Sequence, residues 1–432
     1  MWKYFLYGFH CATKDCDIAE VSTPPTSENP ERNSHACCIL VLFFNLLVIT
    51  NRKITWLEVL VYFNMGGSKS SYRVCYLIHS LSPAGAERII LKLVANLPNK
   101  FDPAVCYLGG DDTLRTEFEK LQCPVVSLGE RFPYDPRMIY AGVREFRKKD
   151  FDIVHSHLPK AHTFGRIFST LSQTEVIIST HHSVRENYGA VSCTLERITR
   201  PIDTATTAVS DGVRRSFGKK HVANWHTIHN GIDVEEFANN VNDSNRNSLK
   251  EEFGIGTGPV FLTVGRYTPE KAQEDVIRTF KLLIEDYPNS SLFIVGWGDR
   301  ETFLRQLSED LNIADNVYIT GYRSDIHRFY SCADVFLLSS IREAFGLVLV
   351  EAMSAGLPIV ASNIAGVDEV IGNNNKIGVL VPPRSPRLMA KETKNVIENS
   401  QYGGKESYRY ARDNFGINKM VNEYVDLYED NL

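Results

Sequence analysis

Two glutamates, Glu343 and Glu351, have the residue type and spacing best suited to chemistry. Glu343 follows the short apolar run Val335–Leu338, which is typical of a buried parallel strand. Glu351 lies in the apolar segment 345–353, which predicts a helix that ends at Gly356. Because a helix rises by about 1.5 Å per residue, the two acids lie roughly 12 Å apart along it. Each could therefore hold one end of an elongated ligand.

The backbone between the two acids predicts an anion-binding site. Open parallel sheets bind ligands at the carboxyl ends of their strands, where each loop enters the next helix, and Glu343 falls at such a position. The free amide groups around Phe345, Gly346 and Leu347 form the N-terminus of the predicted helix, which suits a phosphate. The alternative is a pair of solvated helix acids, but the immediate neighbours of Glu351 are apolar.

The stretch REAFGLVLVEAMSAGLPIVAS resembles the signature of the retaining nucleotide-sugar glycosyltransferases of the GT-B fold, family 4. The resemblance implies that Glu343 contacts the hydroxyl groups of the donor sugar. It implies also that Glu351 contacts the ribose of the nucleotide. Two glutamates at this spacing would not by themselves support this inference. The residues FG after the first acid and GLPIVAS behind the second make the match specific.

Two cations lie in the loop GRYTPEK, which follows a second predicted strand. Arg266 offers a planar fork and Lys271 a point charge, and both fall beside a predicted helix N-terminus. The resemblance implies that they hold the donor pyrophosphate and stabilise the leaving diphosphate. The alternative is two surface cations. Ala272 stands where the family usually has glycine.

The first half of the chain contributes two further candidates. The loop PAGAER resembles the glycine-bearing loop that lies near the donor phosphates in this family, with Gly85 and an alanine in place of the usual glycine pair. An ordinary strand-to-helix turn is the alternative. His157 is predicted just past a strand end, and the resemblance implies that it approaches the donor sugar and the reacting centre. His181 and His182 are weaker candidates for acceptor contacts at the same rim.

Alternating strands and helices over 432 residues predict an α/β protein with two doubly wound, Rossmann-like domains. The resemblance implies the GT-B arrangement, in which the two domains face each other across a cleft. We expect an acceptor-side domain over 65–235 and a nucleotide-sugar-binding domain over 236–415. The segment 416–432 is predicted to pack back on the first domain as a helix, and 239–247 to form a surface loop.

Residues 1–64 form an extension that the resemblance does not cover. The apolar segment 36–50 has 15 residues, short of the roughly 20 that a spanning helix needs, and no cleavage site follows it. Together with 56–63 it could lie on a membrane surface. Two alternatives stay open: a membrane-associated extension, or a segment without a folded role. The expected location is cytoplasmic, in the first case at the cytoplasmic face of a membrane.

Composition argues against several classes of partner. The net charge is −5, and we find no basic run that predicts nucleic-acid binding. The nine cysteines show no CxxC and no metal-ligand spacing, which argues against a structural zinc site or a disulfide framework. The pair Asp111-Asp112 is unsuitably placed for a catalytic metal. We therefore expect neither a metal nor a cofactor.

The predicted function is metal-independent, retaining transfer of a hexose from a UDP- or GDP-sugar to a glycan or lipid-linked acceptor, in cell-envelope polysaccharide or glycoconjugate synthesis. Retaining glycosidases place two carboxyls about 5 Å apart, whereas Glu343 and Glu351 look too distant for that role. A front-face reaction is therefore expected, in which the leaving phosphate takes the proton of the acceptor. The alternatives are a GT-B nucleotide-sugar epimerase and a donor-binding pseudo-transferase.

Overall fold

Two parallel β-sheets account for the fold. The computed structural model describes residues 71–432 except positions 133, 134, 136, 219–224, 373–375 and 400. All of these residues belong to one contact unit, Ser68–Leu432. The predicted extension 1–64, with its membrane association, lies outside the described residues. Within the part of the chain that is described, no helix is both long and apolar enough to cross a membrane.

The first sheet has seven parallel strands in the order β3-β2-β1-β4-β5-β6-β7. Its central strands are buried along their whole length, as expected for strands covered on both faces. The strands are β1 Tyr72–Ile78, β2 Phe101–Tyr107, β3 Val125–Ser127, β4 Ile153–His157, β5 Val176–His181, β6 Ala205–Ala208 and β7 Trp225–Thr227. The helices among them are α1 Gly85–Asn96, α2 Arg115–Lys120, α3 Arg137–Lys149, α4 Pro159–Ser172, α5 Ala190–Thr199 and α6 Asp211–Ser216.

Two helices connect the sheets, α7 Val234–Asn239 and α8 Asp243–Phe253. The prediction of a surface loop over 239–247 is therefore wrong from residue 243 onward. The side chain of Asn242 caps α8 by accepting a hydrogen bond from the backbone N–H of Asn245 at 3.0 Å. Leu249 is fully buried and fixes the helix to the domain. The sequence of this segment is polar enough to predict a loop, because the helix has an N-cap residue but only one buried position.

The second sheet has six parallel strands in the order β10-β9-β8-β11-β12-β13. In both sheets the strand order reverses beside the first strand, which is the doubly wound arrangement. The strands are β8 Val260–Val264, β9 Ser291–Val295, β10 Val317–Gly321, β11 Val335–Leu338, β12 Ile359–Ser362 and β13 Gly378–Val381. The helices are α9 Gln273–Leu283, α10 Glu301–Asp310, α11 Ile326–Cys332, α12 Leu347–Ser354, α13 Val367–Ile371, α14 Pro386–Glu398, α15 Gly404–Phe415 and α16 Ile417–Glu429.

The last helix, α16, packs into the core of the first sheet. Tyr424 and Tyr428 are buried in one hydrophobic cluster with Val74 and Tyr76 of β1. The Tyr428 hydroxyl lies 2.7 Å from Nδ1 of His155 in β4. The chain thus returns to the first domain after completing the second. The exact domain boundaries remain predictions.

Residues that follow strands of one sheet contact residues that follow strands of the other. The Ser210 hydroxyl, after β6, donates to the Ala344 carbonyl, after β11, at 2.5 Å. Glu369 of α13 accepts from the backbone N–H of Asp211 at 2.8 Å and lies 2.6 Å from Nε2 of His229. The carboxyl ends of the two sheets therefore face each other, which places the cleft between them.

Candidate active site

Lys271 and Glu343 meet at the carboxyl edge of the second sheet. The Lys271 ammonium forms an ion pair with Oε2 of Glu343, and the Ser340 hydroxyl lies 3.4 Å from the same oxygen. Their side chains are 17% and 13% exposed, so the pair is largely withdrawn from water without being sealed off. β8 and β11 are neighbours in the sheet, which explains why residues 72 positions apart come together.

The turn that carries Lys271 is held by the end of β11. The Ser339 hydroxyl lies 3.1 Å from the Lys271 carbonyl and 2.8 Å from the Ala272 carbonyl, and it can donate to them. Ala272 has a left-handed backbone conformation, with a φ of +49°, so α9 begins only at Gln273. Lys271 therefore lies in a turn just before the helix, with its side chain directed to Glu343.

Arg266 is exposed in the loop that leads from β8 to Lys271. Among the described residues, no hydrogen bond or ion pair holds its guanidinium, so its donors are available to an anion. Its loop is packed against the loop after β9, because a Cβ at Gly296 would lie only 1.9 Å from the Gly265 carbonyl oxygen. The Tyr267 N–H also donates to the Trp297 carbonyl at 2.8 Å. The backbone that carries the exposed Arg266 side chain is therefore held in place.

The predicted phosphate-binding amides lie at the start of α12. Gly346 immediately precedes this helix with a φ of +87°, a conformation that favours glycine. A Cβ there would also lie 3.1 Å from Leu349 Cδ1. The Phe345 ring is buried, with its centroid 5.5 Å from those of both His229 and Phe415. Phe345 can therefore meet a ligand only through its backbone.

Glu351 lies on α12, the helix that follows the loop carrying Glu343. The Tyr330 hydroxyl donates to its Oε2 at 2.8 Å. Burial raises the pKa of Glu351, while this hydrogen bond and the positive charge of Lys92 act in the opposite direction. Glu351 and Lys92 line one pocket of about 230 Å³, together with residues of α7 and α11 such as Phe237 and His327. The two predicted acids thus have different surroundings.

His157 is buried, and the prediction that it lies just past a strand end is wrong. It is the last residue of β4, because β4 remains paired with β5 through His157 and Thr180. Its Nδ1 lies 2.8 Å from Nε2 of His182, and its own Nε2 has no hydrogen-bond partner among the described residues. Burial and the neighbouring histidines hold its pKa well below the usual range. The partly exposed His182 is the one that reaches the rim.

His181 is also buried, so its expected place at the rim is wrong. It ends β5, stacks on Trp225 with centroids 4.6 Å apart, and lies 2.9 Å from the Tyr188 hydroxyl. Its Nε2 faces Glu196 of α5 at 3.3 Å. His181 therefore belongs to the core between β5, α4 and α5.

Among the described residues, His162, His181 and Glu196 could bring three metal-ligand atoms within 4.8 Å of one another. Arg166 already donates to both oxygens of Glu196, at 2.8 and 2.9 Å, and it also forms an ion pair with Asp203 at 2.7 Å. Its positive charge on the same carboxylate opposes a divalent cation. We therefore interpret this group as a buried ion-pair network that fixes α4 to α5.

The buried histidines predict acid-sensitive stability. Burial lowers the pKa of His162 to about 4, below the unfolded value near 6.5. The unfolded chain therefore binds protons first as pH falls, so stability is full above pH 6.5 and declines below it. Between pH 6.5 and 5 each such histidine should remove about 2 kcal/mol, measured by urea unfolding.

Two variants control this pH experiment. His162→Gln should flatten the dependence of unfolding free energy on pH. His226→Gln, which changes an exposed histidine, should leave the slope as it is. An unfolding free energy that stays constant between pH 6.5 and 5 would contradict the assignment of neutral buried imidazoles.

Gly85 is the first residue of α1, and a Cβ at this position would meet no atom within 4 Å. The φ of Gly85 is not in the left-handed region, so its backbone conformation does not require glycine. What marks the position is the open space around it. The space lies at the carboxyl edge of β1, on the side of the cleft. The predicted role of Gly85 near the donor phosphates remains a prediction.

Sequence reasoning missed two cations of α1. Arg88 donates to the Tyr322 hydroxyl of the second domain at 3.2 Å, and Lys92 shares the pocket of Glu351. Both lie opposite the apolar stripe that includes Ile89 and Leu93. The sequence signal that could have identified them is their spacing of four residues directly after the Gly85 loop, because such a spacing places two side chains on one face of a helix.

Comparison with known families identifies the chain. The family described as Glycosyltransferase Family 4 matches residues 83–236, and the family described as Glycosyl transferases group 1 matches residues 245–414. The chain belongs to glycosyltransferase family 4. This family 4 glycosyltransferase has the GT-B fold, and each of the two family models matches the half of the chain that forms one of the two sheets.

Individual relatives extend over most of this glycosyltransferase. UDP-Gal:alpha-D-GlcNAc-diphosphoundecaprenol alpha-1,3-galactosyltransferase of Escherichia coli is 27% identical over 80% of this chain and 94% of its own. N-acetyl-alpha-D-glucosaminyl L-malate synthase of Bacillus anthracis is 23% identical over 69% and 80%. Anabaena HepE in complex with UDP-glucose superposes with a TM-score of 0.72, at 21% identity, over 83% of this chain and 99% of its own.

Proposed function

We propose that this glycosyltransferase moves a hexose from a UDP- or GDP-sugar to a lipid-linked or glycan acceptor, with retention of anomeric configuration and without a metal. The observation that carries the proposal is the grouping of Arg266, the Lys271–Glu343 pair and the N-terminus of α12 at one edge. The HepE complexes with UDP and UDP-glucose, and the UDP-galactose donor in the name of the Escherichia coli relative, support a uridine nucleotide as the first choice.

The cations would act on the leaving diphosphate. As the bond between the anomeric carbon and the phosphate oxygen breaks, negative charge develops on the diphosphate. Arg266, with unoccupied donors, and Lys271, fixed by its turn, would stabilise that charge without reorganising. The amides at Gly346 and Leu347 would add the partial positive charge of a helix N-terminus. These fixed charges would supply the stabilisation that a metal ion gives in other transferases.

Retention would follow from attack on the face that the leaving group departs from. The acceptor oxygen bonds to the anomeric carbon as the phosphate oxygen leaves, and the acceptor proton passes to that phosphate oxygen. Glu343 would bind sugar hydroxyls rather than attack, because a carboxylate already paired with Lys271 is a poor nucleophile. We assign His157 a positioning role, since it is buried behind His182 and would act through their 2.8 Å contact.

A lipid-linked diphosphate is the favoured acceptor. The Escherichia coli relative is named for an acceptor sugar carried on diphosphoundecaprenol, and it aligns with most of this chain. The loops after β1, β4 and β5 of the first domain would receive the acceptor. They face the donor-side residues across the cleft. A soluble glycan acceptor would use the same loops.

The test is release of nucleoside diphosphate by the full chain, in EDTA, over a panel of UDP-, GDP- and ADP-sugars. We expect slow hydrolysis of one donor. Arg266→Ala should reduce it by roughly 100-fold because it removes positive charge that would stabilise the leaving diphosphate, and Glu343→Ala should reduce it by a similar factor because it removes the carboxylate that would bind the sugar hydroxyls. Glu406→Ala, at an exposed position of α15, is the matched control and should retain full activity. Undiminished release by Glu343→Ala, or release that requires a metal, would refute the proposal.

A further inference from the structure

Glu369 of α13 places its carboxylate against the first domain. Its Oε1 accepts from the backbone N–H of Asp211 at 2.8 Å and lies 2.6 Å from Nε2 of His229, and its Oε2 accepts from the backbone N–H of Gly212 at 3.2 Å. Burial alone would raise the pKa of Glu369, but the contacts with His229 and the two backbone amides outweigh it and hold the pKa below its usual range. An ionised carboxylate therefore joins the two domains through three contacts.

The residues beside these contacts touch the loop that carries Glu343. Ser210 is buried, and its hydroxyl donates to the Ala344 carbonyl at 2.5 Å. The His229 ring stacks on the Phe345 ring, with centroids 5.5 Å apart and an angle of 29° between their planes. Ala344 and Phe345 directly follow Glu343 in the chain. The first domain therefore holds the backbone of this loop at two points.

The segment before α13 connects the two sets of contacts within the second domain. Gly366 has a φ of +89°, and a Cβ there would lie 2.7 Å from the Glu343 carbonyl oxygen. A Cβ at Gly212 of the first domain would lie 3.1 Å from Cβ of Ala365. The backbone before α13 is thus packed directly on the Glu343 loop and on the first domain. Because such packing leaves no free space, a displacement of α13 would be transmitted to the loop.

We propose that Glu369 is a positioning residue for sugar transfer, which fixes the loop carrying Glu343 by anchoring α13 and that loop to the first domain. Both oxygens of Glu369 already accept hydrogen bonds, so it acts through the loop and not on the donor. A reacting group displaced by about 1 Å can cost roughly 100-fold in rate, so a loop held at several points has a direct effect on turnover. The role of Glu343 comes from the proposed function, and this inference rests on it.

The first test measures release of nucleoside diphosphate by the full chain in two backgrounds. Glu369→Ala should reduce kcat by roughly 10- to 100-fold because the loop loses its anchor. KM for the donor should stay within about threefold, because Arg266 and Lys271 still bind the diphosphate. In a Glu343→Ala background the same substitution should have little further effect, since a positioning residue acts only through the group that it positions. A general loss of stability would instead reduce release by the same factor in both backgrounds.

Two further variants complete this experiment. Glu369→Gln keeps the size of the side chain and one acceptor oxygen, and it should recover part of the lost rate. Glu406→Ala removes an exposed carboxylate of α15 and should leave the rate unchanged. Impaired release by Glu343→Ala beside normal release by Glu369→Ala would overturn this inference and leave the proposed function standing. Undiminished release by Glu343→Ala would refute the proposed function, and this inference with it.

A second measurement needs no turnover. Backbone amide hydrogen exchange in peptides that cover 341–347 should be roughly 10-fold faster in Glu369→Ala than in the unaltered chain, because the loop opens more often without its anchor. Peptides of β8 and β12, the two neighbours of β11 in the sheet, should exchange as before, which shows that the domain remains folded. Equal exchange of 341–347 in the two chains, or faster exchange throughout the second domain, would contradict the positioning role.

Discussion

Replacing Lys271 by methionine should slow release of nucleoside diphosphate by roughly 100- to 1,000-fold. Methionine preserves the length of the side chain but removes its charge from the site where diphosphate charge develops. The effect should fall mainly on kcat, because Arg266 and the amides of α12 still bind the ground-state donor. Initial rates over a range of donor concentration would separate kcat from KM.

The pairing of Lys271 with Glu343 makes a double variant informative. Lys271→Met leaves the Glu343 carboxylate without its ion-pair partner, so part of the single loss comes from an uncompensated charge. Adding Glu343→Gln should therefore cost less than the product of the two single losses. Lys391→Met, at an exposed position of α14, is the control for the substitution type. A Lys271→Met enzyme with unaltered kcat would exclude the role proposed for this lysine.

The largest effect on stability is expected from Arg166→Met, which should reduce the free energy of unfolding by roughly 3–5 kcal/mol. Arg166 is fully buried, and it donates to Glu196 and Asp203 at 2.7–2.9 Å. Its removal would leave two carboxylates in the core with no compensating charge. Burial already raises the pKa of Asp203, and Arg166 is the main opposing influence. Urea unfolding at pH 7 measures the change.

Neutralising the partners tests the physical reason for this loss. Glu196→Gln and Asp203→Asn, added to Arg166→Met, should recover a large part of the stability because no charge then remains buried. Arg409→Met removes an exposed arginine and should change the unfolding free energy by less than about 0.5 kcal/mol. Equal unfolding midpoints for Arg166→Met and the unaltered chain would show that the network carries no net stabilisation.

The donor-side residues were predictable because a single geometric rule governs them. Arg266, Lys271 and Glu343 all follow strands that are largely apolar, and adjacent parallel strands end at the same edge of a sheet. Because β8 and β11 are neighbours in the sheet, all three residues lie at one edge, and Lys271 and Glu343 form an ion pair there. No side-chain contact had to be known to expect this grouping.

His157 could not be placed in the same way because the end of a strand depends on its partner. The sequence predicts a strand over Ile153 to Ser156, but pairing with β5 extends the strand through His157. The burial of this region also depends on α16, since the Tyr428 hydroxyl lies beside His155 although 273 positions separate them. A contact over that distance leaves no local pattern in the sequence.

The return of α16 has a consequence for the order in which the molecule can be made. Met420, Val421, Tyr424 and Tyr428 are part of the hydrophobic core around β1, the first of the described strands to be synthesised. That core stays open until residue 428 has emerged from the ribosome, while every residue of the second sheet has already been made. The amino-terminal sheet therefore cannot complete its core before α16 is made, and the second domain has the opportunity to fold first. Synthesis order and folding order would then be reversed between the two halves of the enzyme.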